Sequence, residues 1–188
     1  MKSHSHGFRW HRVAFCGLVS LGMVMATNHI VHAERYSFTD LDDLGGGRSF
    51  VNAINNAGQA VGWSTVPGNK PHAFLYKDRN MLSLSISGIK ASANGINGSE
   101  QVVGQTGDGH PFLYDHGNVT IFPGLISGGY GAALGINTAG QVVGYANTSS
   151  TRYAVLFSPG KAPVNLNVWG GRTSVAYGIN DAGQVVGE

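Results

Sequence analysis

The sequence is short of charge, of cysteine and of helical hydrophobic patterns. Lys, Arg, Asp and Glu make up 12% of its 188 residues, and Cys16 is the only cysteine, so no disulfide can form within the chain. Apolar residues after position 33 do not recur at the spacing of an amphipathic helix. The Gly-x-Ser-x-Gly motif of hydrolases and the Gly-x-x-x-x-Gly-Lys phosphate loop are also absent. These absences leave a β-rich chain without a recognised catalytic motif.

The first 33 residues have the three-part form of a secretory signal peptide. Three basic residues precede a 14-residue run of apolar and small residues at 13–26, and small residues stand before a cleavage site at Ala33. The run is too short for a membrane span. Lipidation of Cys16 is disfavoured because a bulky residue precedes it. We predict cleavage after Ala33 and export of residues 34–188 to the periplasm or the extracellular space, with no transmembrane segment remaining.

Removal of this segment changes the charge of the chain. Lys2, Arg9 and Arg12 are lost with it, which leaves nine basic and ten acidic side chains and a formal charge of −1. Five of the eight histidines are lost as well. Since binding to a nucleic-acid backbone requires a basic patch, the sequence predicts no nucleic-acid partner. We also expect no cofactor.

A ten-residue motif, Gly-Ile-Asn-x-x-Gly-Gln-Val-Val-Gly, occurs in four versions along the chain. Its isoleucines are separated by 42, 40 and 43 residues, and a period near forty is typical of propellers and other repeat architectures. We assign its recurring residues a structural role. They are Ile54, Asn55, Gly58, Gln59 and Gly62; Ile96, Asn97, Gln101 and Gly104; Ile136, Asn137, Gly140, Gln141 and Gly144; and Ile179, Asn180, Gly183, Gln184 and Gly187.

Each version of the motif predicts a β-hairpin with a defined loop. The isoleucine closes one strand, Asn at the first loop position can bond forward to the backbone, and Gly at the fourth takes a positive φ without steric cost. This pattern fits a type I turn followed by a left-handed residue in a bulge. The second version has Glu100 at the fourth position and Gly98 two places earlier, so we expect a different turn type there. The Gly that ends the motif predicts a bulge or a close backbone approach between repeats.

Further short β-like runs, one before the first hairpin and two after each of the first three, are separated by Gly, Pro, Asn and Asp. Together with the hairpins they predict a β-repeat domain over 34–188. Its units lie at about 49–86, 92–122 and 132–169, with a partial unit at 174–188. The runs outside the hairpins are 36–41, 71–76, 81–86, 110–114, 118–122, 152–157 and 164–169.

Four short strands per forty residues predict an all-β fold of antiparallel four-stranded repeats, like the blades of a β-propeller. A β-solenoid is the alternative, which tight antiparallel hairpins disfavour because solenoid rungs are parallel. The opening strand at 36–41 would complete the sheet of the partial unit. Three complete units and a half unit predict an incomplete ring, so an oligomer or a further chain would be needed to close it. We favour a truncated fragment as the explanation of this count.

Two of these runs carry a family resemblance. His72-Ala73-Phe74 follows the first motif and His110-Pro111-Phe112 follows the second, whereas the third unit departs with Tyr153-Ala154-Val155. With the repeated ten-residue motif and the Gly-rich stretch at 40–47, they resemble the HAF family of bacterial extracellular repeats over residues 36–188. The resemblance implies an exported repeat protein, often one part of a larger surface or secreted protein. It implies no established activity.

Candidate metal ligands are few. His72 and His110 hold equivalent positions, but Tyr153 replaces them in the third unit and no second ligand type recurs beside them. The acidic run at 40–43 lacks the further spaced ligands of a calcium loop. We therefore expect no metal site.

A glycan-acting hydrolase or lyase on a propeller scaffold is the alternative function. Paired carboxylates would carry its chemistry. The acids available to it include Asp40, Asp78, Asp108 and Asp115, and none of them recurs at equivalent places in the units. We therefore expect no catalytic residues.

The glutamine after each loop is the one polar feature present in every unit. A strand Gln can tie neighbouring strands through both ends of its amide, which is the role we expect. The alternative is a sugar-binding ring made by the glutamines with Trp63, Tyr130, Trp169 and Tyr177, although these aromatics do not recur in register. We thus expect an exported binding or structural surface module, with a glycan or a surface protein as partner, and no enzyme activity. A truncated chain without a function of its own is the remaining hypothesis.

Overall fold

The protein is described by a computed structural model that covers residues 38–84, 86, 90–127, 129–167 and 173–188. Thr39–Glu188 forms one compact unit. The predicted signal peptide and the first two residues of the predicted opening strand lie outside the described residues, as does Trp169. Within the described part of the chain, no helix is long and apolar enough to cross a membrane.

In the described part of the chain, fourteen strands form four antiparallel sheets, of four, four, four and two strands, and none of these sheets closes into a barrel. Sheet 1 contains β1 (Ser49–Ile54), β2 (Ala60–Val66), β3 (Lys70–Lys77) and β4 (Asn80–Ser83). Sheet 2 contains β5 (Ala91–Ile96), β6 (Val102–Thr106), β7 (Pro111–Asp115) and β8 (Asn118–Ile121). Sheet 3 contains β9 (Gly131–Ile136), β10 (Val142–Asn147), β11 (Arg152–Phe157) and β12 (Val164–Asn165), and sheet 4 contains β13 (Ala176–Ile179) and β14 (Val185–Gly187).

The predicted fold class is confirmed. Each four-stranded sheet is a meander with its strands in sequence order, and all pairings are antiparallel, unlike the parallel rungs of a solenoid. The described residues contain no helix. Consecutive sheets pack on one another, and the first strand of each sheet, β1, β5, β9 or β13, contacts the first strand of the next. This is the arrangement of blades in an incomplete propeller.

The paired valines of the repeated motif build the core between sheets. Val102 packs in a cluster with residues of sheet 1, whereas its neighbour Val103 packs with residues of sheet 3. Val142 and Val143 divide in the same way, toward sheets 2 and 4. Successive side chains of a strand point to opposite faces, so two adjacent valines serve two interfaces at once. All four are fully buried.

Every first hairpin carries a β-bulge at the same place. The register shifts between Val51 and Ala53 in sheet 1, and at the corresponding places of the other three sheets. The Gly that ends the motif faces this bulge: a Cβ on Gly104 would collide with the backbone carbonyl oxygen of Ser92. The sequence predicted either a bulge or a close backbone approach between repeats at this Gly, and the structure shows a bulge.

The four loops share one geometry, so the expectation of a different turn at Glu100 is wrong. Asn97 N–H donates to the Gln101 carbonyl (3.1 Å) and Glu100 N–H to the Asn97 carbonyl (3.3 Å), as in the other three loops. Glu100 itself takes the left-handed conformation, with φ of 59°, where Gly58, Gly140 and Gly183 have 75° to 76°. A non-glycine residue pays about 1–2 kcal/mol for this conformation. In this conformation the Glu100 side chain contacts Lys77 Nζ (2.8 Å) and Gln59 Nε2 (2.5 Å).

The strand predicted at 36–41 is also wrong in its described part, since residues 38–41 belong to no strand. The nearby carboxylates bind the backbone instead. Asp40 Oδ1 accepts from Asp42 N–H (3.0 Å), and Asp43 Oδ1 accepts from the N–H groups of Gly47 (3.0 Å) and Gly45 (2.5 Å). These bonds, that of Gly47 foremost, lower the pKa of Asp43. Local side-chain bonds of this kind compete with strand pairing.

Two outer strands are shorter than predicted. β4 ends at Ser83, because the N–H of Ile86 turns back to the carbonyl of Leu84 (2.9 Å); Leu84 still donates to Ala73 in β3 (2.8 Å). β12 ends at Asn165, whose side-chain oxygen accepts the N–H of Asn167 (2.8 Å). Leu84 and Ile86 are nevertheless buried, so their alternation reflects packing rather than strand length.

Candidate functional site

The asparagine of each loop is the centre of a hydrogen-bond network. Asn97 Oδ1 accepts from Ser99 N–H and Gln101 N–H (both 3.0 Å), and its Nδ2 donates to Gln101 Oε1 (2.8 Å). The two acceptor bonds hold the loop, as an asparagine at this position is suited to do. The bond to Gln101 fixes the glutamine side chain that opens the next strand.

The same asparagines also join one repeat to the next. Asn55 Nδ2 donates to the backbone oxygen of Asn97 (3.0 Å), Asn97 Nδ2 to that of Asn137 (3.1 Å), and Asn137 Nδ2 to that of Asn180 (3.1 Å). We call these four asparagines, with their loop carbonyls, the amide relay. Asn97 and Asn137 are buried between their neighbours, with 4% and 3% exposure. The relay runs in one direction along the stack.

The glutamines act within this network rather than as a separate ring. Each of the four accepts at Oε1 from the asparagine of its own loop. Gln59 Nε2 donates to Glu100 Oε1 (2.5 Å) of the next repeat, and Gln101 Nε2 donates to Asp115 Oδ2 (3.1 Å). Both ends of the amide are therefore engaged in these two glutamines.

Charged groups surround this end of sheets 1 and 2. Lys77 Nζ lies 2.8 Å from Glu100 Oε2. The bonds from Lys77 and then Gln59 lower the pKa of Glu100, and Glu100 raises the pKa of Lys77. His116 lies 2.7 Å from Asp115 and, with Gln101, lowers the pKa of that carboxyl. All these groups are paired within the protein, so this end is a bonded structural surface.

The opposite end of the first two sheets contains a cleft. Consecutive turns of an antiparallel meander lie at opposite ends, so the β2–β3 and β6–β7 turns lie away from the amide relay. A cavity of about 370 Å³ opens there between sheets 1 and 2. We call it the Trp63 cleft; its lining residues are Trp63, Pro71, Lys90, Ala91, Ser92, Gln105, Thr106, Gly107 and Gly109.

Trp63 is held in a fixed orientation at this cleft. Its ring stacks on Phe50, with centroids 4.6 Å apart and planes inclined by 22°, because the two residues are cross-strand partners of β1 and β2. The Arg48 guanidinium lies 5.9 Å from the indole centroid. Lys90 lines the cleft from sheet 2, and neither cation forms an ion pair with a described residue. The cleft thus combines a half-buried indole with the exposed Lys90, and the exposed Arg48 contacts the indole without lining the cleft.

The position of Trp63 is filled differently at the next interface. Gln105 stands there in sheet 2, and its Nε2 donates to the backbone oxygen of Gly131 (2.8 Å). Tyr130 packs against His110, with ring centroids 5.9 Å apart. In sheet 3 the equivalent Tyr145 is covered by the Arg152 guanidinium, 4.2 Å from its centroid. Of these three positions, that of Trp63 places an aromatic ring in the lining of a cleft that also contains the exposed Lys90.

The residues of the family resemblance have structural surroundings. Ala73, Phe74 and Phe112 are fully buried, whereas His72 is hydrogen-bonded to Ser83 Oγ (3.1 Å) and His110 contacts Tyr130. The described part of the chain contains no group of three or more His, Cys, Asp and Glu side chains that could hold a metal ion.

The four acids considered for glycan chemistry are not brought into a pair. Asp78 lies in the β3–β4 turn and Asp115 at the end of β7, both at the relay end of their sheets. Asp108 lies in the β6–β7 turn, bonded to Thr106, and Asp40 bonds to the local backbone. No hydrogen bond between described residues joins any two of them. The low pKa of Asp115 also disfavours it as a general acid.

The aromatic residues proposed beside the glutamines are dispersed. Trp63 lies in the middle of β2, four positions after Gln59, and lines the cleft beyond it. Tyr177 Oη donates to Glu188 Oε1 (2.7 Å) in sheet 4. Sequence reasoning missed Arg48, Phe50 and Lys90 as neighbours of Trp63. The sequence could have indicated Phe50, because it is an aromatic residue five positions before the loop Asn and so opposite β2 in the predicted hairpin. Lys90 reaches the cleft only because sheets 1 and 2 pack together, which the sequence pattern does not show.

A comparison with known proteins finds no family model that matches the chain and no curated protein significantly similar to it.

Proposed function

We propose that this protein is an exported, HAF-like repeat module that binds acidic carbohydrate in the Trp63 cleft. The observation that carries the proposal is the indole of Trp63, fixed by Phe50 in a cleft beside Arg48 and Lys90. Aromatic rings give sugars a flat apolar surface to pack against. The two cations favour a ligand with carboxylate or sulfate groups.

Export is supported by the composition of residues 1–33 and by the resemblance of the repeats to extracellular HAF repeats. The measurement that tests it is the N-terminal sequence of the protein recovered from the cell exterior or periplasm. A mature chain beginning at Glu34 is the expected result. Recovery of the chain with Met1 still attached would contradict it.

The ligand is tested by affinity electrophoresis and calorimetry of the exported protein with polygalacturonate, using neutral dextran as the comparison polymer. We expect binding to polygalacturonate alone. Trp63→Ala should weaken it at least tenfold, because the stacking surface is lost. The matched control is Tyr130→Ala, which removes an exposed aromatic ring at the neighbouring interface and should leave affinity unchanged.

A second variant guards against misfolding of Trp63→Ala. Lys90→Gln changes only an exposed side chain, so the variant should have the melting temperature of the wild type. Its affinity for polygalacturonate, measured at low salt, should be lower than that of the wild type. Equal affinity of wild type, Trp63→Ala and Lys90→Gln would overturn the proposed site. Shortening of the polymer during incubation would instead support the glycan-acting enzyme.

A further inference from the structure

We propose that Gln105 determines which acidic carbohydrate the Trp63 cleft takes, because its side-chain oxygen accepts a hydrogen bond from a free hydroxyl group of a uronic acid. This inference rests on the proposed function and deepens it. The ligand class narrows from acidic carbohydrate in general to polyuronates whose hydroxyl groups are not esterified.

Gln105 holds the same position in sheet 2 that Trp63 holds in sheet 1. It lies in β6, opposite Ser92 of β5 and Pro111 of β7. Its half-buried side chain lines the cleft together with Trp63 and Lys90. The cleft therefore contains an aromatic ring, a cation and an amide.

The amide of Gln105 is held in place by the protein itself. Its Nε2 donates to the backbone oxygen of Gly131 (2.8 Å), the first residue of β9. A side chain that is fixed before a ligand arrives loses little further rotamer freedom when the ligand binds. Gln105 is thus preorganised for recognition.

The oxygen of the same amide remains available. No hydrogen bond from a described residue reaches Gln105 Oε1, although its Nε2 is bonded. The part of the chain that the structure describes has no buried side-chain oxygen or nitrogen without a partner, so this oxygen is accessible to solvent. A ligand in the cleft can therefore donate to it without displacing a bond of the protein.

The other uncharged polar side chains of the cleft are already bonded within the protein. The hydroxyl oxygen of Thr106 accepts the N–H of His110 (2.9 Å). The hydroxyl oxygen of Ser92 accepts from Asn52 Nδ2 (3.2 Å). Among these three side chains of the lining, Gln105 is the one with an acceptor that no described residue occupies.

The chemistry of the two polar groups defines the ligand. The ammonium group of Lys90 is a donor and takes the acid group, whereas the amide oxygen of Gln105 is an acceptor and takes a hydroxyl. An acetyl or sulfate ester in place of that hydroxyl presents only acceptor oxygens, so acceptor would meet acceptor. A uronic acid with free hydroxyl groups satisfies both residues.

The inference is tested by calorimetry of the exported protein with two polymers, polygalacturonate and O-acetylated polygalacturonate. The second polymer keeps the carboxylates and lacks free hydroxyl groups. We expect the wild type to bind it at least about fivefold more weakly, since Gln105 Oε1 is left without a donor. Gln105→Met has a similar length and no amide oxygen. It should bind polygalacturonate about fivefold more weakly than the wild type and should bind the acetylated polymer as the wild type does.

Tyr145→Phe is the matched control. Tyr145 holds the position of Gln105 in sheet 3 and does not line the cleft, so removal of its hydroxyl group should change neither affinity. Gln105→Met also loses the bond to Gly131, so the melting temperature of each variant is measured beside the affinities. Because both polymers are compared on the same variant, a general loss of structure would lower both affinities alike.

The outcomes separate this inference from the proposed function. Binding of neither polymer by the wild type would overturn both. Equal affinity of the wild type for the two polymers would overturn the role of Gln105 alone. So would a Gln105→Met variant that loses affinity for both polymers equally or keeps the wild-type affinity for polygalacturonate, because either result leaves the residue a purely structural role.

Discussion

At the scale of the residue, the loop asparagine has two roles, of which the sequence predicts only one. Its acceptor bonds within the loop follow from local turn chemistry and were predictable. Its donor bond to the next repeat was not, because Asn97 and Asn137 are forty positions apart and meet only after the sheets stack. A buried amide with every polar atom engaged is costly to remove.

Replacement of Asn97 by Ala should lower the free energy of unfolding by about 3 kcal/mol, since two loop N–H groups, Gln101 Oε1 and the Asn137 carbonyl each lose a partner. Urea unfolding followed by circular dichroism measures it. The control is Ser99→Ala in the same loop, which introduces the residue that three of the four loops contain and should change stability by less than about 0.5 kcal/mol. Similar values for the two variants would contradict the assigned role.

Glu100 gives the loop of sheet 2 a dependence on pH. Its folded-state pKa lies below the ordinary 4.5, so its ionised form stabilises the fold above that value and the stabilisation is lost as the pH falls below it. Glu100→Gly removes both this bond network and about 1 kcal/mol of left-handed strain. We therefore expect the variant to gain stability relative to wild type as the pH is lowered from 6 to 3.

Thermal unfolding at a series of pH values tests this expectation. Glu100→Gln is the control, because it retains the left-handed strain but cannot ionise, and it should be less stable than Glu100→Gly at every pH. A difference between wild type and Glu100→Gly that is independent of pH would show that the contacts with Lys77 and Gln59 contribute nothing.

At the scale of the element, the first hairpin of each repeat depends on a bulge and on the Gly that faces it. Replacement of Gly104 by Ala would drive a Cβ into the Ser92 carbonyl, so at least about 3 kcal/mol of stability should be lost. Gly98 in the adjoining loop has open space where a Cβ would stand, so Gly98→Ala should be neutral or slightly stabilising. Chemical unfolding of both variants measures the contrast, and equal losses would exclude the close approach as the reason for Gly104.

The predictability of the elements follows the range of the interactions that define them. The four hairpins were predictable because Asn, Gly and the flanking apolar residues act within ten positions. The alternation at 36–41 did not produce a strand over residues 38–41, where Asp40 and Asp43 bind the backbone first. Likewise Trp63 was recognisable as an aromatic candidate, but its cleft needs Lys90 from another sheet. The candidate site is formed by contacts between sheets, and the sequence pattern does not predict those contacts.

At the scale of the whole molecule, stability is distributed along a stack. Among the described residues, the three apolar clusters fall between consecutive sheets. Such a molecule behaves as a series of similar interfaces. The Trp63 cleft arises at one interface because its side chains differ there, while the scaffold stays the same.

The single direction of the amide relay has a consequence for rearrangement of the gene. Every bond between loops runs from the side chain of an earlier repeat to the backbone of a later one. Moving the first repeat behind the fourth would therefore preserve the sense of every remaining link and would offer the Asn55 carbonyl to Asn180. A circular permutation by whole units conserves the relay, whereas inversion of the repeat order would require donors and acceptors to exchange places.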